Sequence, residues 1–235
     1  MDPHDFDVGF HTQLVFGENA RVLQSTGFRM DRDGDVSQFS DSVNLPTPDH
    51  DGVQVKVGRM ATLLGYEAIE TPLDPNVSVG NAVLCAEYFT QTGVGVEHRF
   101  NSHVDAQVRV LNGWDQVADV NGRPSYMARV GLAPDALMTV AVAAFTGPEQ
   151  PGNNSALRSG VELFASRKFG RVTTFVQGDH GHEQRIAAVP DPRRNPPGGP
   201  PAPGWWSRTR PGSASRCAAT TGTTGSRPAL AVPAA

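Results

Sequence analysis

The stretch GVGVEHRFNSHVDAQVRVLNGW, residues 93–114, decides how the rest of the chain is read. It consists of two alternating runs joined by a two-residue turn at Asn101-Ser102. In the second run Val104, Ala106, Val108 and Val110 fall on one face, and His103, Asp105, Gln107 and Arg109 on the other. Successive strand side chains point to opposite sides of a sheet, so this ribbon has one apolar and one charged surface. Two architectures fit it. In a soluble sandwich the apolar surface meets a second sheet; in a transmembrane barrel it meets lipid while the charged surface lines water.

Outward from this ribbon, alternation predicts strands at 7–16, 36–44, 52–59, 126–132, 137–146, 158–169 and 172–179. Pro72 and Pro75 exclude a continuous central strand between residues 60 and 92. A connection of that length inside a compact fold is usually functional or disordered. Tight turns at 101, Pro134-Asp135 and Gly170-Arg171 face longer loops at 113–125 and 147–156. The expected fold is all-β: an antiparallel up-and-down meander of about nine or ten strands, forming an open, curved, incomplete barrel. Short turns at one end and long loops at the other are also the asymmetry of outer-membrane barrels.

The faces agree with that reading, with two breaches. Ala128, Val130 and Leu132 carry no charge, nor do Val161, Leu163 and Ala165, but Arg167 follows them two residues from a turn. An Arg there is long enough to snorkel to the headgroups, and His98 is a second breach near a turn. Phe100 and Phe169 near the turns, with Trp114, Tyr126 and Phe145 near the loops, match an interfacial aromatic belt.

Composition narrows the classes. Of 235 residues, 38% are hydrophobic and 19% charged, and no apolar run is long enough for a membrane-spanning helix. The start, MDPHDFDV, has neither the basic nor the apolar region of a signal peptide. Cys85 and Cys217 lie far apart and form no metal-site spacing. From Asp191 onward the composition shifts: residues 191–235 hold 9 of the 19 prolines and six Arg against one Asp. That leaves 14 basic (20 less 6) and 23 acidic (24 less 1) residues in the first 190. The expected division is a barrel portion at 1–190 and a Pro/Gly/Arg-rich tail. The tail is either a disordered low-complexity segment or a frameshifted reading, since a two-base shift in GC-rich codons turns WWSRTRPGSASRCAATTGTTG into a strand-like string.

Five segments are more specific than the alternation. They are Val57-Gly58-Arg59, Leu63-Leu64-Gly65-Tyr66-Glu67, Thr92-Gly93-Val94, Asn112-Gly113-Trp114-Asp115 and Gly147-Pro148-Glu149-Gln150. In this order and spacing the chain, over roughly residues 5–185, resembles the OmpL-like outer-membrane β-barrel porins. The resemblance implies a barrel in the outer membrane of a Gram-negative-type bacterium, passing small solutes by passive diffusion. It implies membrane lipid and small solutes as partners, no nucleic acid, no cofactor and no catalysis. Members begin with a signal peptide and further strands and continue past residue 190, so a truncated porin-like barrel is expected here.

On this reading Glu97, Arg99, Asp105, Gln107, Arg109, Glu162 and Lys168 line the pore, where opposing carboxylates and guanidiniums set a transverse field. Arg59, Tyr66 and Glu67 belong to a segment that would fold inward as a constriction. His180 and His182, two apart on a strand, are the candidate metal ligands, without an evident third. Asp31, Asp33 and Asp35 open like a calcium loop but lack its Gly at position six and Glu at position twelve. No nucleophile–base order or phosphate loop stands out. The competing reading is a soluble β-sandwich or partial barrel that binds a carbohydrate or another small ligand through its loops, with Trp114 and Tyr66 as stacking platforms.

Overall fold

The computed structural model describes residues 7–16, 34–45, 52–65, 87–184, 215–216 and 220–225. Nine strands run as an antiparallel meander: β1 (Asp7–Phe16), β2 (Gly34–Leu45), β3 (Val53–Ala61), β4 (Thr90–Asn101), β5 (Val104–Leu111), β6 (Ser125–Asp135), β7 (Met138–Gln150), β8 (Asn153–Phe169) and β9 (Val172–Glu183). Each pairs with its sequence neighbours in a single sheet, without a crossover. Two short strands, β10 (Ser215–Arg216) and β11 (Thr220–Gly225), lie against β9. Within the described residues β1 is paired on one side only, so the sheet is open. Among the described residues no helix is long and apolar enough to cross a membrane, whereas eight of the nine meander strands have 9 to 17 residues. A tilted strand needs about 9–11 residues to cross a bilayer.

The two faces are sorted as the alternation demands. Val94 and Val96 on β4, Val108 and Val110 on β5, Val130 and Leu132 on β6, Val142 on β7, Val161 and Leu163 on β8 and Val176 on β9 are all exposed on one face. Val108 is 54% exposed and Leu163 56%, with no second layer over them among the described residues. Among the described residues, 22 large apolar or aromatic side chains are exposed against 10 buried hydrophobic ones. That is the reverse of a soluble core, and a soluble monomer rarely carries so broad an apolar surface. Asp41 on β2 interrupts this face, across from Phe10 and Val57. His98, the breach near the turn, is satisfied by the Gly52 carbonyl oxygen at 2.7 Å and meets Phe100 edge-on. Arg167 reaches Asp135 at 3.3 Å beside its own turn.

Several boundaries move. The β4–β5 turn is Ser102-His103, one residue later than expected, because a bulge intervenes between Arg99 and Asn101. A bulge between Leu132 and Asp135 likewise shifts the β6–β7 turn to Ala136-Leu137. Residues 147–156 are not a loop: β7 and β8 extend through them to a tight turn at Pro151-Gly152. Pro148 lacks an N–H, and it sits in β7 beyond Thr146, where the pairing with β6 stops. The cysteines and the Asp31-Asp33 part of the acidic loop lie outside the described residues.

Candidate channel wall and constriction

The opposite face of the sheet carries the polar residues. Across it runs one level of cross-strand partners: Gln54, Glu97, Gln107, Arg129, Ala143, Glu162 and Asp179, from β3 to β9. Of the residues expected to line a pore, Glu97, Gln107 and Glu162 lie on this level, with Asp105 and Arg109 on the levels beside it. Arg99 and Lys168 are exposed at the turn end of the sheet, away from this level. Ion pairs bind the wall laterally: Lys56–Glu97 at 2.9 Å, Arg129–Asp105 at 2.7 Å and Arg158–Glu183 at 2.9 Å.

Against this polar face lie residues 62–65 and 87–89, the described parts of the connection between β3 and β4. Leu64 and Tyr88 are buried against Leu111 of β5, Met127 of β6 and Ala143 of β7. The Tyr88 hydroxyl donates to Met127 Sδ at 2.8 Å. Further across, the Gly65 N–H donates to Glu162 Oε2 at 2.8 Å, and Gln177 Nε2 of β9 donates to Glu87 Oε1. β3 and β8 are five strands apart, about 24 Å along a flat sheet at ~4.8 Å per strand. The four residues from Ala61 to Gly65 cover at most about 14 Å. The remaining distance is closed by side-chain reach and by curling of the sheet around its polar face. Residues 62–65 and 87–89 thus form a strap laid against the polar face. Tyr66 and Glu67 lie outside the described residues.

The described parts of the five sequence motifs meet at this strap. Gly58 and Gly93 are cross-strand partners, and a Cβ on Gly93 would stand 2.0 Å from the Val110 carbonyl oxygen. Only a strand lacking a side chain there lets β3, β4 and β5 close up beneath the strap. Arg59 is buried and donates from Nε to Thr90 Oγ1 at 3.3 Å. At Gly65 φ is +85°, and a Cβ would meet the Glu87 carboxylate, so the crossing needs glycine on both counts. The Asp115 carboxylate, at a residue with φ of 49°, accepts the backbone N–H groups of Phe89 and Thr90 on one oxygen, each at 2.9 Å. Glu149 accepts the Trp114 N–H at 2.6 Å on one oxygen and the Ser125 hydroxyl at 2.7 Å on the other. Trp114 meets Tyr88 with ring centroids 4.2 Å apart and Phe145 at 5.3 Å, and the Arg158 guanidinium lies over it at 4.8 Å.

This placement corrects two expectations. Trp114 and Phe145 turn inward to seat the strap and are not part of an interfacial belt, while Phe100, Tyr126 and Phe169 are exposed as a belt requires. Trp114 also cannot serve as a stacking platform for a ligand in the loops, since its ring is already covered on three sides. His180 and His182 share a face as expected, but it is the exposed outward one, opposite Val161 and Ser159 of β8. The described residues that do bring metal-capable atoms together are Glu87, Glu162 and Asp179, whose carboxylate oxygens lie within 4.8 Å of one another. Glu162 and Asp179 were legible as neighbours: both lie at equal distance from the Gly170-Arg171 turn, which makes them cross-strand partners. Glu87 reaches them only by tertiary folding.

Asp115 supplies a pH dependence. Burial pushes its carboxyl up from 3.8 to about 7, against the Thr90 and Phe89 N–H groups and the Arg59 charge, which pull it down. The folded state therefore binds a proton that the unfolded chain releases near its ordinary value. The stabilisation is full below about pH 4 and is lost as pH rises through about 7. Urea unfolding of the detergent-folded protein is expected to show a lower midpoint at pH 8 than at pH 5. Asp115→Asn keeps the accepting oxygen and removes the titration, so the variant's midpoint should lose this part of the pH dependence.

A model of the family described as "Putative beta-barrel porin-2, OmpL-like" matches residues 2–200. No curated protein and no solved structure matches the chain.

Proposed function

Because the chain belongs to the OmpL-like β-barrel porin family, we propose that its sheet forms part of the wall of an outer-membrane channel through which small solutes diffuse passively. The observation that supports this is the pairing of an exposed valine-rich face with a polar face on which the protein folds its own strap. Lipid covers the first face, and water and solute pass along the second, narrowed where the strap crosses. The nine described meander strands are fewer than the roughly 16 that surround a porin lumen.

The charges on the polar face are separated across it. Arg59 and Arg109 lie under the β3–β4 root of the strap, with Arg109 donating to the Ala61 carbonyl at 2.5 Å and to Gln91 Oε1 at 2.6 Å. Glu87, Glu162 and Asp179 gather at the far side on β8 and β9. A field directed from the first group to the second crosses the path of a solute and sorts it by charge and dipole. In liposomes, the complete barrel should pass small hydrophilic solutes at rates that fall with solute size. Recovery of the protein as a detergent-free monomer in the soluble fraction would overturn the proposal.

A further inference from the structure

A cavity of about 260 Å³ lies between the strap and the wall, bounded by Leu63 and Gly65 on one side and by Arg129, Ala141, Glu162 and Phe164 on the other. We infer that this cavity is a binding subsite for a small zwitterion of the amino-acid or dipeptide class, held between Arg129 and Glu162. The inference rests on the channel reading and adds the class of solute to it.

Arg129 and Glu162 occupy the same cross-strand level with Ala143 between them, two strand spacings or about 10 Å apart in the sheet. The small side chain of Ala141, on the next inward-facing position of β7, leaves the floor of the space open. Both charged side chains line the same cavity over that floor. The Arg129 guanidinium spends one of its five N–H donors on Asp105. The others can hold a carboxylate in the forked geometry that Arg favours. At the opposite end, Glu162 Oε2 accepts from Gly65 and from Gln177, and the carboxyl shares a further hydrogen bond with Asp179. Glu87 and Asp179 crowd the same carboxylate, and an ammonium group placed there would relieve repulsion among the three. The Phe164 ring and Leu63 supply an apolar surface for the carbon chain between the charges.

The test is isothermal titration of the full chain folded in detergent micelles with 6-aminohexanoate, hexylammonium, hexanoate and glucose as probes. The zwitterion should bind at least tenfold more tightly than any of the other three. Arg129→Gln should lower it to the level of hexylammonium, and Glu162→Gln to that of hexanoate. Ala141→Leu should abolish its binding while the folded, heat-modifiable gel band is retained. If Glu162→Gln does not fold, Arg129→Gln decides, because Arg129 is partly exposed and its loss leaves the strap contacts in place. Equal binding of hexylammonium or glucose, or an unaltered zwitterion affinity in Arg129→Gln or in Ala141→Leu, would overturn the inference. Zwitterion binding without solute flux from the complete barrel would instead count against the channel and leave the subsite standing.

Discussion

Leu163→Arg is expected to destabilise the lipid-inserted protein by about 2–4 kcal/mol, the cost of a cation near the midplane of a barrel's lipid face. Leu163 lies in the middle of β8, is 56% exposed, and has apolar Val142 beside it on β7. A guanidinium there has neither an acidic partner within its level nor a short path to the headgroups. Gln107→Arg, on the polar face of β5, should change stability by less than about 0.5 kcal/mol. Both substitutions add one Arg to a strand interior, so the difference between them measures which face is dry. The readout is the urea midpoint of protein folded into phosphocholine vesicles. Equal small losses for both variants would mean that water bathes the valine face.

Tyr88→Ala is expected to cost about 3–5 kcal/mol, as removal of a buried aromatic side chain does. The ring is 3% exposed, packs edge-on to Trp114 and Phe145, and ties its hydroxyl to Met127. Burial also pushes the phenol well above its ordinary range, so the hydroxyl stays a neutral donor at any working pH. Without the ring, the strap loses the contact that holds it over β5, β6 and β7. The near-UV circular dichroism of the Tyr88–Trp114 pair should collapse while the far-UV β signal remains. A loss below about 1 kcal/mol with an unchanged near-UV spectrum would mean that the strap is not seated by this residue.

The sheet was legible because its physics is local. Period-two alternation located every meander strand, and β1 agrees at both ends with the expected 7–16. Turns were displaced where bulges insert a residue, as at Arg99/Asn101 and Leu132/Asp135, since a bulge leaves no mark in an alternation already ending. Residues 147–156 misled because Gly147, Pro148, Pro151 and Gly152 read as breakers. Pro148 is tolerated there because β6 begins only at Ser125 and its pairing with β7 stops at Thr146, a fact of register rather than of composition. Arg129 was also within reach, since it alternates with Ala128 and Val130 onto the wet face. The inward turn of Trp114 and Phe145 was not, because an aromatic at a strand end looks the same whether it meets headgroups or Tyr88. Nor could the chain order show that the described parts of five separated motifs converge at one strap. Their partners are 24 to 35 residues apart at Ser125–Glu149, Phe89–Asp115 and Trp114–Glu149.

The central claim is that lipid, and no protein layer, covers the valine face. It is tested most directly by nitroxide labels placed one at a time at residues 104–111 of β5, in a background with Cys85 and Cys217 replaced by Ser, reconstituted into bilayers. Oxygen, which concentrates in hydrocarbon, and a water-soluble nickel chelate then compete to relax each label. Labels at Val108 and Val110 should favour oxygen, and those at Gln107 and Arg109 should not, giving a period of two. Nickel access at Val108 and Val110, or exclusion of both relaxants there as in a packed protein core, would contradict the account.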